Sequence, residues 1–512
     1  MTKTKPAHAL LSAALALALA GLACAGGGPA PTTAPTRAPQ PTKVVAAASD
    51  TPQSTSAPTA KATTAPTVAA TTAATAAPTE AATSAPTEAA TAVTLSGKLD
   101  LNGISSYLDN VKYFHVEGLL TNGTDQAVNN VQLSLQVTDS KGKTVLQDDS
   151  GNPTSTVTFP PILGSLASGE TSPFDYFFST SGVDTSGWKS VVKVASSENL
   201  SDLKRAQVVI ENNLMTTASD GDVYLTGEVV NKSDQPATLA DFAGALLDKS
   251  GNVAGAASFQ DVTRLLSPAG DASGSDRSPF VIHIYGPVPA GATPHFYLDA
   301  QPGDPNDITV AADVHLHLDT SFADANNDVY LVATVTNSGT NTMTVRVMSG
   351  LYDKDGKVLD GSSADAPIDL GPGATSPVPM SLFGNLNGNA KLVGQVVSYT
   401  AQIDPYWTFS VESKFVSLKA TNVTTTIDGS SLSVKGDVAN TSGQTLTSAT
   451  VVLIVHDAGG KLVAADWAVA QPSSGDFTPK TTQAWNATIQ LPPSVDPKTL
   501  KVDTIVQGSV KS

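Results

Sequence analysis

Two histidines alternate with apolar residues between two aspartates in the segment Asp313-Val-His315-Leu-His317-Leu-Asp319. On a β-strand, residues two apart share a face. His315 and His317 would then present imidazole nitrogens beside the carboxylates of Asp313 and Asp319, while Val314, Leu316 and Leu318 turn toward a core. Such a set suits a divalent ion if a neighbouring strand adds ligands. The same pattern also describes the solvated face of an edge strand, where charge discourages pairing with other chains. Calcium has separate candidates. Asp353-Lys-Asp355-Gly356 begins like an EF-hand loop but lacks the later oxygens and the closing Glu. Asp304 with Asn306 and Asp307, and Asp324 with Asn326, Asn327 and Asp328, gather oxygen donors that read equally well as solvated turns. The expectation is no cofactor, with calcium or another divalent ion at these places as the alternative.

Other chemistry is hard to find. The sequence holds no Gly-x-Ser-x-Gly elbow, phosphate-binding loop, dinucleotide glycine fingerprint or His-Glu-x-x-His motif. The chain is therefore expected not to be an enzyme. The alternative is an extracellular solute-binding protein or enzyme with an unrecognised site, which would need a long unique insertion to shape a deep pocket. Tyr113-Phe114 and Tyr176-Phe177-Phe178 read as core packing more readily than as contact aromatics. A formal charge of −17 without a basic run beyond the N-terminus argues against nucleic acid, whose binding needs clustered Lys and Arg. Cys24 is the single cysteine, so internal disulfides and Cys-based metal sites are excluded.

The N-terminus reads as an export signal. Lys3 and Lys5 precede an apolar run from Ala9 to Ala20, which is too short for an ordinary membrane span. Gly21-Leu22-Ala23-Cys24 follows and resembles a bacterial lipobox, although the usual Leu three places before the Cys is Gly21. The resemblance implies that Cys24 becomes the lipidated first residue and that the protein sits on the extracytoplasmic side of a membrane. Ordinary cleavage at Ala23-Cys24-Ala25, giving a secreted protein, is the other reading. Residues 25–93 are rich in Pro, Thr and Ala, as in Ala77-Pro78-Thr79-Glu80 and Ala85-Pro86-Thr87-Glu88. Almost no large apolar side chain is present there, so no core can offset the ordering entropy, and a disordered tether is expected. Thr with Pro is also the composition of O-glycosylated stalks.

The remaining chain repeats itself. A small residue, an apolar residue and then Asn recur in Gly118-Leu-Leu-Thr-Asn122, Gly227-Glu-Val-Val-Asn231, Ala333-Thr-Val-Thr-Asn337 and Gly436-Asp-Val-Ala-Asn440. Each Asn is followed by a polar turn and an alternating strand that ends in Asp-x-x-Gly, at Asp139, Asp248, Asp353 and Asp457. The Asp is expected to cap its hairpin through the backbone, the Gly to take a positive φ, and the Asn to hold its own turn. Downstream come Ser172-Pro173-Phe174, Ser278-Pro279-Phe280 and Ser376-Pro377-Val378, a pattern the fourth repeat lacks. A period close to one hundred residues is too long for a solenoid unit and suits one small domain per repeat. Short strands with turn signals at this spacing argue for two-sheet sandwiches of about seven strands.

These motifs resemble the FxLYD domain of bacterial exported proteins. Ser349-Gly350-Leu351-Tyr352-Asp353 keeps Leu-Tyr-Asp and replaces the Phe with Ser349, and the other three repeats are looser matches. The resemblance implies an immunoglobulin-like β-sandwich and no particular reaction or ligand. The expected plan is an all-β chain: signal peptide 1–24, disordered linker 25–93, and four tandem sandwiches at 94–205, 206–307, 308–413 and 414–512. The expected function is a non-enzymatic surface lipoprotein whose sandwiches act as spacer or as binding and adhesion units. Its partners would be the membrane, through the lipid anchor, and a protein or glycan outside the cell. The oligomeric state stays open.

Overall fold

Alternation of small apolar with polar residues, punctuated by turns, gives this chain strands and almost nothing else. The computed structural model describes residues 98–511 except 149, 181, 260–262, 272, 310–312, 383, 387–388, 413 and 474. The signal segment, Cys24 and the linker lie outside the described residues. No helix among the described residues is long and apolar enough to cross a membrane.

The first sandwich contains β1 (Leu99–Leu108), β2 (Tyr113–Asn122), β3 (Ala127–Thr138), β4 (Val157–Phe159), β5 (Ser165–Leu166), β6 (Thr171–Ser179) and β7 (Lys189–Leu200). One sheet runs β1-β2-β6. In the other, β3 pairs with β4 and β5 along one edge and with β7 along the other. The second repeats the plan with β8 (Val208–Thr217), β9 (Val223–Asn231), β10 (Ala237–Leu247), β11 (Val253–Ser258), β12 (Leu265–Leu266), β13 (Arg277–Ile284) and β14 (Thr293–Pro302). Its sheets are β8-β9-β13 and β10 flanked by β11, β12 and β14.

The third uses β15 (Val314–Ala323), β16 (Val329–Asn337), β17 (Met343–Thr344), β18 (Arg346–Tyr352), β19 (Val358–Asp365), β20 (Thr375–Leu382), β21 (Ser398–Ile403) and β22 (Phe409–Ser410). They form sheets β15-β16-β20 and β19-β18-β21, with β17 and β22 as a separate pair. The fourth has β23 (Phe415–Leu418), β24 (Ala420–Asp428), β25 (Ser431–Ala439), β26 (Leu446–His456), β27 (Leu462–Ala470), β28 (Thr482–Gln490) and β29 (Lys501–Val510). Its sheets are β24-β25-β28 and β23-β29-β26-β27. Each sandwich has its own apolar core between its two sheets. In β3, for instance, Val131, Leu133, Leu135 and Val137 are buried while the residues between them face outward.

The recurrent Asn and Asp hold the ends of these strands. Asn122, Asn231, Asn337 and Asn440 are all fully buried. The Asn122 amide donates to the carbonyls of Gln126, Leu166 and Ala167 at 2.8–3.1 Å, and its oxygen accepts from Thr124 N at 3.0 Å. Asn231 bonds the carbonyls of Gln235 and Ser267, Asn337 those of Asn341 and Leu370, and Asn440 those of Gln444 and Phe477, all at 2.7–2.8 Å. One side chain thus ties its own turn to the loop that starts the return strand. Each Asp works outside. The Oδ1 of Asp139, Asp248, Asp353 and Asp457 accepts two backbone N–H groups, from residues two and four places on, at 2.8–3.0 Å. Gly142, Gly251, Gly356 and Gly460 then take φ of 75–83°.

The small residue of the repeat has a steric cause. Gly118 lies opposite Phe174 in register, and a Cβ on it would meet the ring at 2.4 Å. Gly227 faces Phe280 and Gly436 faces Trp485, where a Cβ would come within 2.7 and 2.8 Å. The third sandwich, alone in having Ala333, pairs it with the smaller Val378. Trp485 therefore takes the aromatic's place in the fourth repeat, where the Ser-Pro-Phe pattern is missing. The prolines of that pattern lie on β6, β13 and β20, each at the edge of its three-stranded sheet, where a missing N–H costs no ladder bond.

The sandwiches also pack on one another. Strand β11 lies over the outer face of β2, with Leu119 and Ile162 packing against Ala245, Val253 and Ala256. Strand β19 covers β9, where Thr226 donates to the Val358 carbonyl at 2.5 Å, and β18 packs on the neighbouring β13. Strand β27 covers the sheet containing β16, bringing Ala464, Ala465 and Asp466 near Tyr330 and Val332. Burial follows: β2 and β9 are buried on both faces along much of their length and β16 at Val332, whereas β25 alternates, with Lys435 exposed and Ser433 and Asp437 half-buried.

The glycine–aromatic pair yields a prediction. Gly118→Ala should destabilise the first sandwich by about 1–3 kcal/mol through overpacking. Gly118→Ala with Phe174→Val recreates the third sandwich's pair, and in urea unfolding it should lose less than the sum of the two single changes. Strictly additive losses would show that the ring does not set the residue at 118.

Candidate functional site

The sequence-expected ligands separate in the structure. His315 Nε2 lies 3.0 Å from Ser338 Oγ. His317 is well exposed, with Nε2 3.8 Å from Asp319, whose other oxygen accepts from Thr334 Oγ1 at 2.7 Å. Asp313 uses its main-chain carbonyl to accept from Ser338 N at 2.8 Å. A register shift between Leu318 and Thr320 also breaks the alternation that would align Asp319 with the histidines. The calcium candidates are engaged as turns. Asp324 accepts from the N–H groups of Asn326 and Asp328, Asp304 from Asn306, and Asp355 pairs with Lys354. The N–H groups of Lys143 and Asn252, foremost among the causes, hold Asp139 and Asp248 below the usual carboxylate range.

A different group converges at the junction of the first two sandwiches. On β2, His115 and Glu117 are two apart and both point outward from the first core. Strand β6 sets Asp175 directly opposite Glu117, and β1 sets Tyr107 opposite His115. Donor atoms of His115, Glu117 and Asp175 all lie within 4.8 Å of one another. His115 Nδ1 is 3.1 and 3.2 Å from the two Asp175 oxygens and 3.9 Å from Glu117 Oε1. Its Nε2 is 3.3 Å from Oδ2 of Asp109, whose Oδ1 caps the β1–β2 turn by accepting from Val111 N and Tyr113 N. The ring is sandwiched between Tyr107, at 4.9 Å and nearly parallel, and Phe177, at 5.5 Å.

Glu117 is fully buried because the second sandwich covers it. Its Oε1 accepts from Tyr107 OH at 3.1 Å and from Ala256 N of β11 at 3.0 Å. Its Oε2 has no hydrogen-bond partner among the described residues. Burial, then the charge of Asp175, push Glu117 up to about 8. Burial opposes a charged imidazole at 115, but the bonds and charge of Asp175, with Glu117 and Asp109, carry His115 up to about 8. Burial also raises Asp175 and Tyr107. No Lys or Arg pairs with Asp109, Glu117 or Asp175 among the described residues.

The next junction treats its carboxylate differently. Glu228 on β9 receives Tyr352 OH at 2.9 Å, Asn212 Nδ2 at 2.6 Å and Arg277 Nη1 at 3.3 Å, so both oxygens are met and a guanidinium balances the charge. Tyr352 belongs to the Leu-Tyr-Asp segment, and here its hydroxyl crosses to the preceding sandwich. Sequence reasoning missed the first cluster. Its only trace is the pair of ionisable residues on the strand before Asn122, and both partners come from other strands.

No family model matches the chain, and no curated protein matches it. Among solved structures, the native Escherichia coli alpha-2-macroglobulin is similar at 9% identity over 79% of this chain and 28% of that one, with a TM-score of 0.11. The elastase-activated form of that protein gives 8% identity, 80% and 44% coverage and a TM-score of 0.11. Salmonella alpha-2-macroglobulin reacted with methylamine gives 10%, 80%, 29% and 0.10. The chain spans less than half the length of these structures.

The turn geometry leads to a test. Asp353→Ala removes the acceptor for two backbone N–H groups and should cost about 0.5–2 kcal/mol, by analogy with helix caps. Calorimetry should show the same loss with calcium or with chelator. A loss confined to calcium-containing buffer would make Asp353 a ligand rather than a cap.

Proposed function

We propose that this chain is a non-enzymatic, exported lipoprotein, anchored through Cys24, in which a Pro/Thr/Ala tether carries four immunoglobulin-like sandwiches outside the cell. The sandwiches serve as a spacer or as binding and adhesion units, and their motifs are of the FxLYD kind. The observation that carries this reading is the recurrent junction. A strand of the following sandwich lies over the outer face of β2 at β11, of β9 at β19, and of β16 at β27, burying most of the first two faces and Val332 of the third. Side-chain bonds cross these contacts, among them Ser105 to the Val253 carbonyl and Gln507 with both backbone groups of Asp369 at 2.8 and 3.1 Å. Arg205, between the first two sandwiches, joins Glu170 to the buried Asp299. Sandwiches fixed face to edge in this way transmit position along the chain, which suits holding something at a distance from a surface. The sequence at residues 3–24 supports export and anchoring independently.

The test is made in cells with the full chain. Wild type should fractionate with membranes and be labelled in intact cells by an amine reagent that cannot cross them. Cys24→Ser should move it to the soluble extracytoplasmic fraction or block its processing. Unchanged membrane partition would place the anchor elsewhere, and protection from the reagent would overturn the exported reading.

A further inference from the structure

We propose that His115, Glu117 and Asp175 form a binding site for a divalent transition metal ion of the zinc or manganese class, built into the junction between the first two sandwiches. The donor set is one imidazole nitrogen and two carboxylates, with one atom of each lying within 4.8 Å of the others, a spacing that a small inward movement closes around one ion. An imidazole donor favours a transition ion over calcium or magnesium, which take oxygen ligands.

Three further features fit a metal. Asp109 holds Nε2 of His115 at 3.3 Å and leaves Nδ1 facing the two carboxylates, the carboxylate–histidine arrangement that orients a ligating ring. Tyr107 and Phe177 clamp that ring on both faces. Tyr107 OH and Ala256 N support Oε1 of Glu117, while the fully buried Oε2 lacks a partner among the described residues. An unpaired carboxylate oxygen in the interior is costly, and a cation relieves it. The second junction meets the same need with Arg277 on Glu228, and the first has three carboxylates around a single imidazole. Asp175 is partly exposed, which gives an ion a way in. Three protein donors leave a fourth position for water or for a donor on a partner.

The full chain, stripped with chelator, is titrated with zinc chloride, with calcium chloride as control. Wild type should take up a single zinc ion that competes with a micromolar chelator, and its melting temperature should rise. Calcium should do neither. Asp175→Asn and Glu117→Gln keep the side-chain shapes and should abolish both effects, and Asp109→Asn should weaken binding about 10–100-fold. His317→Ala should change nothing. X-ray absorption at the zinc edge of the wild type should show one imidazole among oxygen ligands, a readout that stands even if a variant fails to fold. Absence of zinc uptake by wild type, uptake unchanged in folded Asp175→Asn and Glu117→Gln, or an edge spectrum with two imidazoles would overturn the site.

Discussion

The fold depends on one buried carboxamide used four times. A side-chain amide can donate twice and accept twice, and each of Asn122, Asn231, Asn337 and Asn440 is committed at both ends in a space without solvent. Orphaning even one such group inside costs about 1–3 kcal/mol, so the amide admits essentially one arrangement of the two loops it joins. That arrangement fixes where the second strand of each sandwich ends and where its edge partner begins. The register follows: Gly118 meets Phe174, Gly227 meets Phe280, Ala333 meets Val378 and Gly436 meets Trp485. A one-residue slip would turn these pairs to the wrong face.

The local chemistry was legible in the chain and the distant chemistry was not. Strand alternation in β3 and the Asp-x-x-Gly hairpins follow from period and turn residues, because both are set by neighbours in sequence. The all-β sandwich-type architecture follows from the same signals repeated. The His315–His317 segment looked like the best ligand set because alternation is visible. Yet a strand face becomes a site only through what stands opposite, and Ser338 and Thr334 stand there. His115 and Glu117 carried the same alternation without flanking acids on their own strand. Their partners Asp109, Asp175 and Tyr107 come from a turn and two other strands, and the cover over them comes from another sandwich. The aromatics nearby divided similarly: Phe114 enters the core, while Tyr113 and Phe177 remain exposed, with Phe177 lying against His115.

The junctions show how one interface can be satisfied by different means. At β9 a guanidinium and two neutral donors meet a glutamate. At β16 the equivalent outer face carries Tyr330, Val332, Thr334 and Thr336, and of these Val332 is the buried one. At β2 the glutamate is held by a tyrosine and one backbone N–H, and the balance of charge rests on an imidazole. The three contacts share geometry rather than chemistry, so substitutions at one carry little information about the others.

The contact between successive sandwiches joins unlike surfaces, a sheet face to a strand of the next unit. An association of that kind is heterologous: copies presenting both surfaces close into a ring only where the rotation between them returns to its start, and otherwise run on as an open filament. The outer face of β25 interrupts this arithmetic. Covering it would strip water from Lys435, which is exposed, while Asp437 is half-buried and accepts from Asn422 Nδ2 at 2.8 Å. Lys435 therefore sets a desolvation cost on stacking at this face, a cost that Leu119 on β2 and Val332 on β16 do not carry.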